Sequence, residues 1–270
     1  MTAPTTATLP AHLFDDPAMP AIPEREDKFI AARAPAPAQR LVEIYFPYRE
    51  RPQTMTIESL VHSFPAGCAL AVTGTRHWAG PLPEHARQLI AAVPSILVGD
   101  ATGADARVIE QWRGAAEPPS RRLVIFALPS RVRPAPSPVA ATVYTVARTS
   151  DPLAQPAYRS QMMIATLRRF HQDTAYPVAL LALPAATPPP AGLRADPWPS
   201  LSSGTWSTVA NAAYRKIPIL AYTPYCPPAL AGIPWQPVAV PGPGPDELAH
   251  LWRPAPSLLE EPFDFQLCTR

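Results

Sequence analysis

The sequence predicts an α/β protein, a doubly wound, mostly parallel sheet with proline-rich arms at both ends. Three observations lead there. Five apolar runs are nearly continuous: 68–74 (CALAVTG), 95–99 (SILVG), 122–128 (RLVIFAL), 177–183 (PVALLAL) and 217–222 (IPILAY). Strands buried on both faces read this way. Between the runs stand segments at 83–93, 104–114, 157–171 and 205–216 whose apolar residues recur at helical spacing. The regular alternation of the two kinds is what right-handed strand–helix–strand crossovers produce.

Each helix carries its own stripe. The first repeats Ala86, Leu89, Ile90 and Val93; the second Ala104, Val108 and Trp112. The third has Met163, Leu167 and Phe170, and the fourth Val209, Ala210 and Ala213. Residues 141–146 (ATVYTV) add a strand inside the break at 129–156, and 41–48 (LVEIYFPY) has strand composition. Pro47 lacks an N–H, which predicts an edge position for that strand. Residues 1–40 are polar, proline-rich and without a period, so they read as a tail or wrapping arm. The division that follows is an arm at 1–40, a lead-in at 41–65, the main domain at 66–223 and a proline-rich arm at 224–270. A short helix is expected in the last arm at 245–252. Two proline-rich insertions, 129–138 and 184–199, leave the carboxyl edge of the sheet. Open α/β sheets bind their ligands at that edge.

Composition excludes several classes of function. Proline supplies 40 of the 270 residues while charged residues make up 16%, against roughly 25% in an average chain. The net charge of +2 is too small to recruit a polyanion by bulk electrostatics. No apolar run approaches the ~20 residues that cross a bilayer, and residues 1–20 lack the pattern of a secretory signal. Cys68, Cys226 and Cys268 are too scattered for a disulfide framework or a zinc site. A cytoplasmic protein with reduced thiols and no membrane partner is expected.

Chemistry concentrates where strands hand over to helices. Gly74 permits a sharp turn, after which Thr75 and Arg76 face the crevice. In 99–105 (GDATGAD), Gly99 and Gly103 admit a close backbone approach, Asp100 stands in the loop and Asp105 falls in the next helix's first turn. Arg159 belongs to a helix opening RSQMM, and Gly204 with Thr205 caps another helix. The first-turn amides of that last helix and the Thr205 hydroxyl are suited to a phosphate. Arg76 and Arg159, arriving from two other strand ends, can each fork onto phosphate oxygens. The competing reading pairs both arginines with Asp100 and Asp105 and makes them structural.

In order and placement these segments resemble the SLOG superfamily, the Rossmann-like group that holds the DNA-processing protein A family and the Lonely-guy phosphoribohydrolases. The likeness is to its small uncharacterised bacterial branch and spans roughly residues 66–223. It rests on Gly74-Thr75-Arg76, on the loop from Gly99 to Asp105, on the RSQMM helix start at Arg159, and on Gly204-Thr205. The resemblance implies a Rossmann-like domain and a ligand site at Gly74, Thr75, Arg76, Gly99, Asp100, Gly103, Asp105, Arg159, Gly204 and Thr205.

Two departures shape the function expected. The superfamily's phosphoribohydrolases place a glutamate three residues after the Gly-Thr threonine, and here that residue is Thr208. A hydroxyl does not replace the carboxylate that N-glycosidic cleavage uses. Asp100 stands where the family has glycine, and beside a phosphate it calls for Arg76 or a magnesium ion as counter-charge. The expected function is therefore to bind or sense a nucleotide or nucleotide derivative, a small-molecule partner. Magnesium accompanying that nucleotide is the one cofactor this reading allows. A nucleoside-monophosphate enzyme using Asp100 or Asp105 is the alternative, followed by a single-stranded DNA binder; a homo-oligomer is compatible with all three. Nucleic acid is not favoured, because the arginines are scattered except at Arg121-Arg122 and Arg168-Arg169.

Overall fold

The computed structural model describes residues 41–45, 53–62, 64–114, 121–128, 140–144, 154–185, 187–188, 193–196, 201, 203–238 and 249–254. The expected arm at 1–40 and the insertion at 129–138 lie outside them, as does much of the insertion at 184–199. In chain order the elements are β1 (Leu41–Tyr45), β2 (Gln53–Thr56), α1 (Ile57–His62), β3 (Ala69–Gly74) and α2 (Glu84–Ala92). Then come β4 (Ser95–Gly99), α3 (Ala104–Gly114), β5 (Arg122–Ala127), β6 (Ala140–Tyr144) and α4 (Ala154–Thr174). The chain continues through β7 (Val178–Leu183), α5 (Gly204–Tyr214), β8 (Ile219–Tyr222), β9 (Gln236–Val238) and β10 (Ala249–Trp252).

All five apolar runs form strands, and they are neighbours. The sheet runs β2-β1-β6-β5-β4-β3-β7-β8-β10-β9. The stretch from β6 to β8 is parallel throughout, and antiparallel strands flank it on both sides. Residues of β4 and β7 are buried without exception, as expected of strands covered on both faces. Side-chain alternation sends Leu70 and Val72 of β3 into one core and Ala69 and Ala71 into the other. The first core is closed by α2 and α3 through Leu89, Ile90, Val108 and Trp112. The second is closed by α1, α4 and α5 through Leu60, Met163, Phe170, Trp206 and Val209. Helices thus cover both faces of a mostly parallel sheet.

At the amino edge Arg121 fastens the first helical layer. Its Nη2 donates to the Ile90 carbonyl at 2.6 Å, in the last turn of α2. Its guanidinium lies 4.1 Å from the ring centroid of Trp112 on α3. A cation is favoured at both places, by the exposed carbonyls of a helix end and by the face of an indole.

Several expectations need correction. Leu41–Tyr45 is not an edge strand, since it pairs with both β2 and β6. The described strand runs to Tyr45, and Pro47 lies outside the described residues. The short helix expected at 245–252 is absent from its described part, where Ala249–Trp252 pairs antiparallel with β8. Its apolar residues divide between the two cores, which is a strand's period of two. The third major helix begins at Ala154 rather than at 157, so Arg159 lies in its second turn and does not open it.

Candidate functional site

The order of the parallel strands reverses its direction of growth at β3. From β3 the chain passes through α2 to β4 and through α3 to β5, on one face. It later returns to lay β7 on the other side of β3, and from β7 it crosses through α5 on the opposite face to β8. Connections that depart from adjacent strands in opposite directions open a crevice at their carboxyl ends. Gly74 and Leu183 are register partners at the ends of β3 and β7, so they mark the floor of that crevice.

The turn after β3 is locked to the loop after β4. Thr75 donates its N–H to Leu183 O at 3.0 Å and accepts at its own carbonyl from Ala104 N at 3.1 Å. Its hydroxyl accepts from the His77 amide at 3.3 Å, so it is used within the turn. Thr102 Oγ1 donates to Arg76 O at 3.4 Å. Gly103 makes the approach possible. It has φ of +76°, and a Cβ there would overlap the carbonyls of Thr75 and Arg76. A Cβ on Gly74 would likewise overlap Ala104 Cβ and press on Leu183.

Below these turns lies a buried ion cluster. Arg159 Nη1 is paired with Asp100 Oδ1, and Arg159 Nη2 stands 4.0 Å from Asp105 Oδ2. Asp100 is fully buried; Asp105 and Arg159 are nearly so. Each carboxylate also accepts from one backbone amide. Leu128 N donates to Asp100 Oδ2 at 3.1 Å, and Ala101 N to Asp105 Oδ2 at 3.2 Å. One guanidinium therefore ties the ends of β4 and β5, the start of α3 and the second turn of α4. Gly99 is glycine because the cluster packs on its Cα, where a Cβ would overlap Asp105 Oδ2 and press on the Arg159 guanidinium. Two carboxylates against one cation leave this cluster no attraction for a phosphate.

The sequence-predicted residues thus divide into two groups. Gly74, Thr75, Gly99, Asp100, Gly103, Asp105 and Arg159 come together in the locked turns and the ion cluster. Arg76, Gly204 and Thr205 stay outside it. Arg76 is exposed, and its side chain makes no hydrogen bond or ion pair with the described residues. Gly204 opens α5 with nothing within 4 Å of where a Cβ would stand. The cap of α5 is Ser203, one residue before the predicted pair, and its Oγ accepts from Trp206 N at 3.5 Å. That residue was missed although serine is a preferred N-cap. Thr205 is buried. Thr208 is buried too, its hydroxyl donating back to Gly204 O at 2.9 Å. Because Gly204 is helical and uncrowded, Gly204→Ala should leave stability unchanged or raise it by up to ~1 kcal/mol in a denaturant titration.

A second concavity, a cleft of about 350 Å³, lies between α2 and α3. Its arginines are already matched, Arg87 with Glu84 and Arg107 with Glu110. Among the described residues no three His, Cys, Asp or Glu side chains gather as metal ligands. No described helix is long and apolar enough to cross a membrane. No family model, no curated protein and no solved structure matches the chain.

Proposed function

We propose that the chain binds or senses a nucleotide or nucleotide derivative in the crevice between β3 and β7, acting in the cytoplasm as a Rossmann-like protein of the SLOG type. The observation that carries the reading is the reversal of strand order at β3, which opens a crevice flanked by an exposed cation and an uncrowded helix start. The phosphate rests on the first turn of α5 at Gly204 and Thr205, where unpaired amides and the helix dipole favour an anion. Arg76 supplies the counter-charge.

Arg159 drops out as an anchor, since its charge is committed to Asp100 and Asp105. That pairing also supplies the cation Asp100 needs, in place of Arg76 or magnesium. The hydrolytic alternative is weakened by the same geometry. Thr208 spends its hydroxyl on the helix backbone, and the two aspartates that might replace the missing glutamate are buried and ion-paired.

Calorimetry with AMP and ADP tests the reading. Arg76→Glu should weaken binding by more than ~2 kcal/mol, about thirtyfold, and leave the melting temperature within about a degree, because an exposed unpaired side chain contributes little to stability. Binding retained in Arg76→Glu, or no nucleotide bound by the wild type at millimolar concentration, would sink it. Mass spectrometry of the small molecules that copurify with the chain would identify the derivative.

A further inference from the structure

β10 follows β8 in the sheet, and among the described residues only the short β9 lies beyond it. Ala249 and Leu251 face the core under α2 and α3, while Trp252 faces the opposite core. By the period of two, His250 shares the face of Trp252. It stands across from Ala221 of β8 and Pro237 of β9. His250 is 6% exposed, and neither ring nitrogen has a hydrogen-bond partner among the described residues. Buried polar atoms are nearly always paired, so two orphans on one ring call for an account.

The surroundings make a proton on that ring unwelcome. On this face β8 presents Ile219 and Ala221, and the 223–235 segment adds Leu230 and Trp235. The titratable groups of that segment, Tyr225 and Cys226, are exposed. The buried residues of α5 carry no charge. Residues 203–238 and 249–254 contain no carboxylate at all, and their charged residues are the cations Arg215, Lys216 and Arg253. On the neighbouring 193–196 segment, Asp196 meets α5 through its backbone N–H, on Ala210 O, and Arg194 adds another cation.

We propose that the β8–β10 junction is an acid-sensitive seam, at which protonation of His250 releases the β9–β10 pair from the sheet while the parallel strands stay in place. Burial lowers the His250 pKa from its ordinary value of 6.5, and the approach of the Thr223 backbone, which does not amount to a hydrogen bond, opposes the shift only in part. A detached β10 exposes the ring and restores that ordinary value. Between the two values the detached form binds more protons, so the packed form loses ground as pH falls below about 6.5, by up to about tenfold per pH unit. Position makes the release local: among the described residues β10 pairs with β8 on one side and with the three-residue β9 on the other.

Hydrogen exchange on the full chain, corrected for intrinsic rates, tests this at pH 7.5 and pH 5.0. Protection across Ala249–Trp252 should fall severalfold at the lower pH, while β4 and β7 hold theirs. His250→Phe should abolish the difference. PH-independent protection of β10 in the wild type would overturn the proposal. So would an equal fall in His250→Phe, or a loss spread evenly over the sheet. If the variant does not fold, imidazole titration by NMR on the wild type decides. A His250 ring titrating well below 6.5 supports the seam, and one titrating at 6.5 or above refutes it.

Discussion

Arg159→Ala should destabilise the protein by about 3–5 kcal/mol, the typical cost of removing one partner from a buried ion pair. The substitution strands Asp100, which has no exposed surface, beside Asp105 with no cation between them. Asp100→Ala should cost a comparable amount, because it leaves the buried Arg159 charge and the Leu128 amide without their acceptor. Asp105→Ala should cost less, since its carboxylate stands 4.0 Å from the guanidinium. Guanidinium chloride titrations would measure these differences from midpoints at constant slope. A phosphate anchor behaves in the opposite way, losing ligand while keeping its stability. The contrast with Arg76→Glu therefore separates the structural arginine from the binding one.

The second large effect is expected at Gly103. Gly103→Ala forces an L-residue into φ of +76°, at about 1–2 kcal/mol. It also drives a methyl group into the carbonyls of Thr75 and Arg76, which are backbone and cannot swing away. Overpacking of this kind adds about 1–3 kcal/mol. A total of about 2–5 kcal/mol should appear as a clear fall in thermal midpoint. Nucleotide binding should suffer as well, because the turn that displays Arg76 is held by Ala104 and Thr102 on either side of that glycine.

The centre of the sheet was legible because its strands are covered twice. Burial on both faces removes polar residues from alternate positions and leaves runs such as VALLAL in β7 that have few other readings. The flanks were not legible in the same way. The four residues AHLW of β10 are too short to separate a period of two from a period of 3.6, and the partner that decides, β8, lies outside the local sequence. Similarly, nothing within LVEIY tells that β6 completes its second side.

At the site, the residue types were readable but their partners were not. Gly99 was expected to make room for something, and it does. The occupant is the Asp105–Arg159 ion cluster rather than a ligand. Two arginines carried equal weight as phosphate anchors, yet burial and pairing are properties of the packed chain. Only after α4 is set against the ends of β4 and β5 does Arg159 lose its freedom while Arg76 keeps it.

The position of β3 also bears on how the chain acquires its structure. Leu70 meets Ile96 on one side after a single helical crossover, but its other neighbour, Ala179, is synthesised much later. Closing that longer loop costs more chain entropy, and contacts of high sequence separation slow folding. Until β7 is inserted, β3 is an open strand with its hydrogen-bonding groups free and its apolar residues half covered. The nascent chain therefore passes through a stage at which its most central strand is its most association-prone edge. The crevice inferred to hold the nucleotide is closed by the very pairing that ends this vulnerability.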